Sequence, residues 1–188
     1  MLAPKQRPAT YADIEALSPH ISGEIIFGTL YTQPRPTPRH ERARKVLGFE
    51  TSGPFDLGNN GPGGWFFLDE PELHLSEHIV VPELAGWQTT DFSPFTTTAF
   101  VTNPPDWLAE ILSPSTQGND RTYKFNIYAS HGVAHCWYVD PQAKTLEVFE
   151  LRHGRYTQIA NFNRGATVCA PPFTAHSFEL DRLWIPGE

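Results

Sequence analysis

The chain has 188 residues, a length that fits one domain with a substantial core. Its 39% hydrophobic and 13% aromatic content exclude a disordered chain, and a net charge of −7 counts against a protein that depends on phosphate contacts alone. No stretch approaches the roughly twenty apolar residues of a membrane span, the N-terminus lacks the apolar core of a secretion signal, and Cys136 and Cys169 have no CxxC spacing, so they read as free thiols in a reducing cytoplasm.

Thr10 is positioned to cap a short predicted helix over residues 10–17. Residues 23–31 read as one strand or a tight hairpin turning near Gly28. A proline-spaced segment, 34–38, precedes a helix-compatible stretch from Arg39 to about Glu50, where Ala43, Val46, Leu47 and Glu50 recur at helical spacing. A glycine-rich loop is expected over 53–64, strands over 65–68, 72–75 and 78–81, and an irregular polar segment over 89–103. The apolar run 107–112 reads as a strand, 113–119 as a turn cluster, and 120–131 as a helix that Gly132 ends. Strands are expected again at 134–139, 145–151 and 156–160, with turns at Asp140-Pro-Gln-Ala and His153-Gly. This alternation predicts a single α/β domain with a mixed sheet.

Glu110 stands inside the apolar run Trp-Leu-Ala-Glu-Ile-Leu. Burying a carboxylate there costs several kcal/mol, at about the level of an unpaired buried charge, unless a cation, metal or hydrogen bonds compensate it. The helix that follows places Asp120, Lys124 and Tyr128 at intervals of four, so Lys124 can approach Glu110 if the turn folds the helix back. The bland reading is an ion pair that closes a strand-turn-helix unit. Glu83 and Glu24 also adjoin apolar strand residues, and each alone reads as a polar residue at a strand end. Taken together, three carboxylates and a lysine are the inventory of a magnesium-dependent phosphodiesterase, because hard carboxylate oxygens suit Mg2+ or Mn2+.

Other motifs point to less. His40 near a helix start could touch the site or a phosphate, though a surface histidine is the simpler account. His74 and His78 lie in strand and turn, where a spacing of four does not build a zinc site. Ser113 and Ser115 lack a nucleophile elbow and fit turn and capping roles. The Gly61-Pro-Gly-Gly64 loop lacks the ending of a phosphate-binding loop. Arg35, Arg39, Arg42, Arg44 and Lys45 form the only basic cluster, either a lining for a phosphate backbone or a solvated helix face. Trp65, Trp87, Trp107, Trp137 and Trp184 read as packing residues.

Several segments recur in a fixed order: Gly23-Glu-Ile-Ile-Phe-Gly, Pro34-Arg-Pro-Thr-Pro-Arg-His40, Val81-Pro-Glu-Leu-Ala-Gly-Trp87, Asp106-Trp-Leu-Ala-Glu-Ile-Leu-Ser-Pro-Ser-Thr116, then Asp120, Lys124, Tyr128-Ala129 and Trp137-Tyr-Val-Asp-Pro141. From about residue 10 to about residue 160 the chain resembles the Uma-type restriction-endonuclease family, within the PD-(D/E)XK nuclease superfamily. The resemblance implies a restriction-endonuclease-like core, a mixed sheet flanked by helices. It also implies catalytic roles for Glu83, Glu110, Lys124 and Glu24, with Mg2+ (or Mn2+) on Glu83 and Glu110, and supporting roles for Asp120, Tyr128 and His40. Two departures stand out: Glu83 replaces the family's aspartate, and Leu112 occupies the superfamily's lysine position, so the lysine role falls to Lys124. The expected partner is nucleic acid, DNA foremost, handled by a cytoplasmic protein that forms a homodimer. The competing reading is a non-catalytic binding or assembly module on the same scaffold.

Overall fold

Two hydrophobic faces of one sheet organise the chain. The computed structural model describes residues 7–18, 21–33, 35–114, 118 and 120–187. The capping role expected of Ser115 lies outside these residues.

Helix α1 (Tyr11–Glu15) begins at Thr10, which forms a reciprocal capping box with Asp13. Strands β1 (Gly23–Ile26) and β2 (Thr29–Thr32) form a hairpin whose two-residue turn, Phe27-Gly28, has φ of 49° and 71°. Positive φ at both positions is the type I′ geometry that suits the twist of paired strands. Helix α2 (Pro38–Phe55) starts where the Thr37 side chain accepts a hydrogen bond from the His40 amide, with Pro38 at its first position.

The glycine-rich loop expected from residue 53 needs correction, because α2 continues through Gly53 and Pro54 to Phe55. The following loop folds back on the helix end. The amides of Asn59, Gly63 and Trp65 donate to the carbonyls of Gly53, Pro54 and Phe55, which satisfies the acceptors that a helix terminus leaves open.

Strands β3 (Phe66–Asp69), β4 (Leu73–Leu75), β5 (His78–Val80), β6 (Leu84–Trp87) and β7 (Trp107–Ile111) follow. Strand β6 is missing from the sequence reading, since Pro82 just before it and Gly86 within it argue against a strand. Gly86 is there because the Phe67 ring lies against it, 3.0 Å from where a Cβ would sit. A π-helical turn (Asp120–Lys124) leads into α3 (Phe125–Ser130), so the single helix expected over 120–131 is two unlike pieces. Strands β8 (His135–Asp140), β9 (Thr145–Arg152) and β10 (Arg155–Asn163) form a meander, and β11 (Thr167–Val168) and β12 (Phe178–Glu179) make a small ribbon.

The main sheet has the order β10-β9-β8-β7-β6-β3, and only β7 and β8 run parallel. A parallel pair needs a crossover, and here the π turn and α3 provide it. A second, antiparallel sheet has the order β2-β1-β5-β4. On one face of the main sheet, Ala43 and Leu47 of α2 and the C-terminal Phe173, Phe178, Leu183 and Trp184 pack on Trp107, Ala109, Ile111 and Trp137. On the other face, Ile26, Leu73, Leu75 and Val80 of the second sheet join Ile127 and Tyr128 of α3 over Leu108, Leu112, Cys136 and Tyr138. Alternation along β7 therefore turns Glu110 toward the second layer, where β1 and α3 meet it. Edge strand β10 carries a register break between Gln158 and Ala160. Among the described residues no helix is long and apolar enough to cross a membrane.

A Cβ on Gly61 would fall 2.6 Å from the Pro54 carbonyl oxygen and 2.4 Å from its Cβ. Gly61→Ala is thus expected to cost about 1–3 kcal/mol in denaturant unfolding, the usual range for overpacking. An unchanged midpoint would show that the loop does not close the α2 terminus.

Candidate active site

Lys124 comes from the π turn, Glu110 from the middle of β7 and Glu24 from β1, so three separate elements meet at one ammonium. Its Nζ lies 2.7 Å from Glu110 Oε1, 3.0 Å from Glu24 Oε1 and 3.4 Å from Asp120 Oδ1, with the Val81 carbonyl 3.4 Å away. Lys124 is 1% exposed, and Glu24, Glu110 and Asp120 are each 3% exposed or less. Further donors fix the acids. Tyr128 donates its hydroxyl to Glu110 Oε1 at 2.6 Å, the Val81 amide donates to Glu24 Oε1 at 2.8 Å, and Gln33 donates to Glu24 Oε2 at 2.9 Å. Tyr138 donates to the Asp120 carbonyl and so braces the turn that carries Lys124. π-helical turns are uncommon and gather at functional sites.

Three buried acids surround one buried cation, so full ionisation would leave excess negative charge out of water. Burial pushes the Glu110 carboxyl up to about 8; Lys124 pulls it down, while Asp120 and Glu24 push it further up. Burial disfavours the charged Lys124 ammonium, yet Glu110, Glu24 and Asp120 outweigh that and hold its pKa well above the ordinary lysine range. Burial and the Glu110 charge keep the Tyr128 hydroxyl protonated, as its role of donor requires. The Lys124 and Tyr128 contacts to Glu110 both fall on Oε1.

Glu83 stands in a second set. Register continued one step beyond Leu84↔Ala109 places it beside Glu110 on the neighbouring strand, but its side chain is held by α2. His40 Nε2 lies 3.1 Å from Glu83 Oε1, and Arg44 Nε lies 3.7 Å from Oε2. Arg44 also pairs with Glu41 at 2.8 Å and Glu70 at 3.2 Å. Burial opposes a charged His40 ring, but Glu83 and the nearby Ile111 carbonyl raise its pKa above the usual value. Glu24, Glu110, Asp120, Lys124 and Tyr128 thus come together, while Glu83 and His40 form a neighbouring pair.

Gln33 was not singled out from the sequence, and Arg44 was named there only as one of a basic cluster. Gln33 becomes legible once the hairpin turn is fixed, because it then lies one step beyond the Gly23↔Thr32 pair, diagonal to Glu24. Arg44 follows His40 by four on a helix, a spacing that puts both on one face. The basic cluster that contains it is partly committed internally: Arg44 to three carboxylates and Arg42 to the Arg182 carbonyl.

The donor chemistry suits a hard divalent cation, with carboxylate oxygens and buried negative charge that one ammonium does not match. Glu83 Oε2 is buried without a hydrogen-bond partner. Among the described residues no three His, Cys, Asp or Glu side chains form a ready cage. Mg2+ does not require one, since it ordinarily keeps several waters and takes one or two carboxylates.

Between pH 4.5, the ordinary glutamate value, and about 8, the folded protein holds a proton on Glu110 that the unfolded chain has released. Raising the pH through that window therefore favours unfolding, by up to about 1.4 kcal/mol per unit for one proton. Glu110→Gln is expected to flatten this decline in stability curves measured from pH 5 to 9. Lys124→Met, which leaves the acids without their cation, is expected to destabilise by about 3–5 kcal/mol in the same measurement. Wild-type stability in Lys124→Met would show that the fold does not depend on this cluster.

No curated protein is significantly similar to the chain. A crystal structure described as "a putative nuclease belonging to DUF820 from Anabaena variabilis ATCC 29413" matches with a TM-score of 0.75. The match covers 94% of this chain and 97% of that one at 20% identity, which establishes a shared fold. The family model for Uma2, described as "Putative restriction endonuclease", matches residues 8–182, beyond the 10–160 over which the motifs alone carry the likeness. The chain therefore belongs to the Uma2 family.

Proposed function

We propose that this protein is a metal-dependent nuclease that hydrolyses phosphodiester bonds of nucleic acid, DNA foremost, at the Glu24–Glu110–Lys124 centre. The observation that supports it best is the excess of buried acid around a single ammonium, in a chain of a restriction-endonuclease family. Isolated structural ion pairs balance their charges, because an unmatched buried carboxylate costs several kcal/mol, on the order of a broken buried pair. A centre with acid in excess suits a cation that arrives with substrate.

In this reading Glu110 and Glu83 hold Mg2+ or Mn2+, and the bound metal supplies Lewis-acid polarisation of the phosphoryl group and a more acidic water. Tyr128 and Lys124 orient Glu110 through Oε1. Gln33 and the Val81 amide hold Glu24 as an additional acid near the reacting water. Lys124, charged at every physiological pH, stabilises negative charge that develops on the phosphate. His40 and Arg44 hold Glu83, whose arm is one methylene longer than the family's aspartate. A cytoplasmic setting, where Cys136 and Cys169 stay reduced, and a homodimer belong to the same reading.

Incubation of supercoiled plasmid and of labelled oligonucleotides with Mg2+, Mn2+ or EDTA tests it. Metal-dependent cleavage is expected, with Glu110→Gln slower on the order of 10²-fold or more, the scale of one lost preorganised electrostatic group. Glu110→Gln is the informative variant because it keeps the shape of the site. Cleavage that survives in EDTA or in this variant would refute the assignment, and absence of any cleavage by a wild-type protein that takes up no metal would favour the binding-module reading.

A further inference from the structure

Phe27 sits at the first position of the type I′ turn with φ of 49° and is 62% exposed. Asn, Asp or Gly ordinarily fills that position, and a bulky side chain there is strained. Strain of this kind persists where the surroundings impose it, and such positions gather at functional sites. The ring is not adrift. It packs edge-on to His78 at 4.7 Å and to Tyr123, itself 38% exposed, at 5.9 Å. An open cleft of about 1050 Å³ is lined by Phe27, Thr29, Leu30, the Arg7–Asp13 ion pair and Glu77.

The two exposed rings belong to the elements that build the candidate active site. Phe27 follows Glu24 by three residues, about 10 Å along a strand, and Tyr123 precedes Lys124. An exposed aromatic face can stack on a base only if that base is not already stacked within a duplex. The net charge of −7 counts against binding either a duplex or a single strand through phosphate neutralisation alone, so affinity needs a further source such as stacking. We propose that Phe27, backed by Tyr123, is a stacking platform for an unpaired base, which makes single-stranded nucleic acid the substrate class of this site. The inference rests on the nuclease reading for its substrate, but it concerns binding and is tested without cleavage.

Fluorescence anisotropy in EDTA, with a labelled oligothymidylate and a duplex of equal length, gives the readout. The wild type is expected to bind the single strand more tightly. Phe27→Asn removes the ring and installs the residue the turn prefers, so it should raise the melting temperature while weakening single-strand binding about ten- to a hundred-fold, the loss of one stacked base. Phe27→Trp should restore binding. Equal affinity for the duplex, or unchanged affinity in Phe27→Asn, would overturn the platform and leave the nuclease reading to stand on metal-dependent cleavage. Ring-dependent binding by a protein that never cleaves would support the platform and remove the nuclease.

Discussion

The Lys124 ammonium is the constraint on which this part of the molecule depends. It joins β1, β7 and the crossover between β7 and β8, three elements separated by up to a hundred positions in the chain. Each acid it touches is out of water, so none of the four groups tolerates the loss of the others. The surrounding side chains answer to the same centre. Burial, with the Glu110 charge next in weight, pushes the Cys136 thiol well above its ordinary pKa, so that cysteine is a small apolar neighbour rather than a nucleophile. Tyr128 and Tyr138 remain neutral donors for the same reason and lock one acid and the turn that presents the lysine.

The acids fall into two adjoining sets. Glu110 faces the layer of β1 and α3, whereas Glu83, at a bend just before β6, is drawn to His40 and Arg44 on α2. The two sets adjoin through neighbouring strand ends, and the Ile111 carbonyl beside His40 is one residue from Glu110.

Much of this was legible in the residues because local chemistry agreed with the final packing. The turn near Gly28, the Glu110 strand and the C-terminal meander follow from alternation and turn residues, whereas the type I′ geometry with Phe27 in it does not. The partnership of Glu110 with Lys124 followed from the cost of a lone buried carboxylate. What escaped was set by distant contacts. The end of α2 is decided by loop amides returning from Asn59 to Trp65, and β6 is decided by the Phe67 ring over Gly86. The attachment of Glu83 to α2 is likewise a tertiary choice between two available faces. Short-range pattern has no access to any of these.

The register break in β10 has a consequence for how copies of the chain meet. A nine-residue border strand with free amides and carbonyls invites a second sheet to add on, and a bulge spoils that template by twisting and misaligning it. The opposite border, β3, is only four residues long. Neither margin of the main sheet offers a straight ladder for continuation, so self-association by extending that sheet is disfavoured.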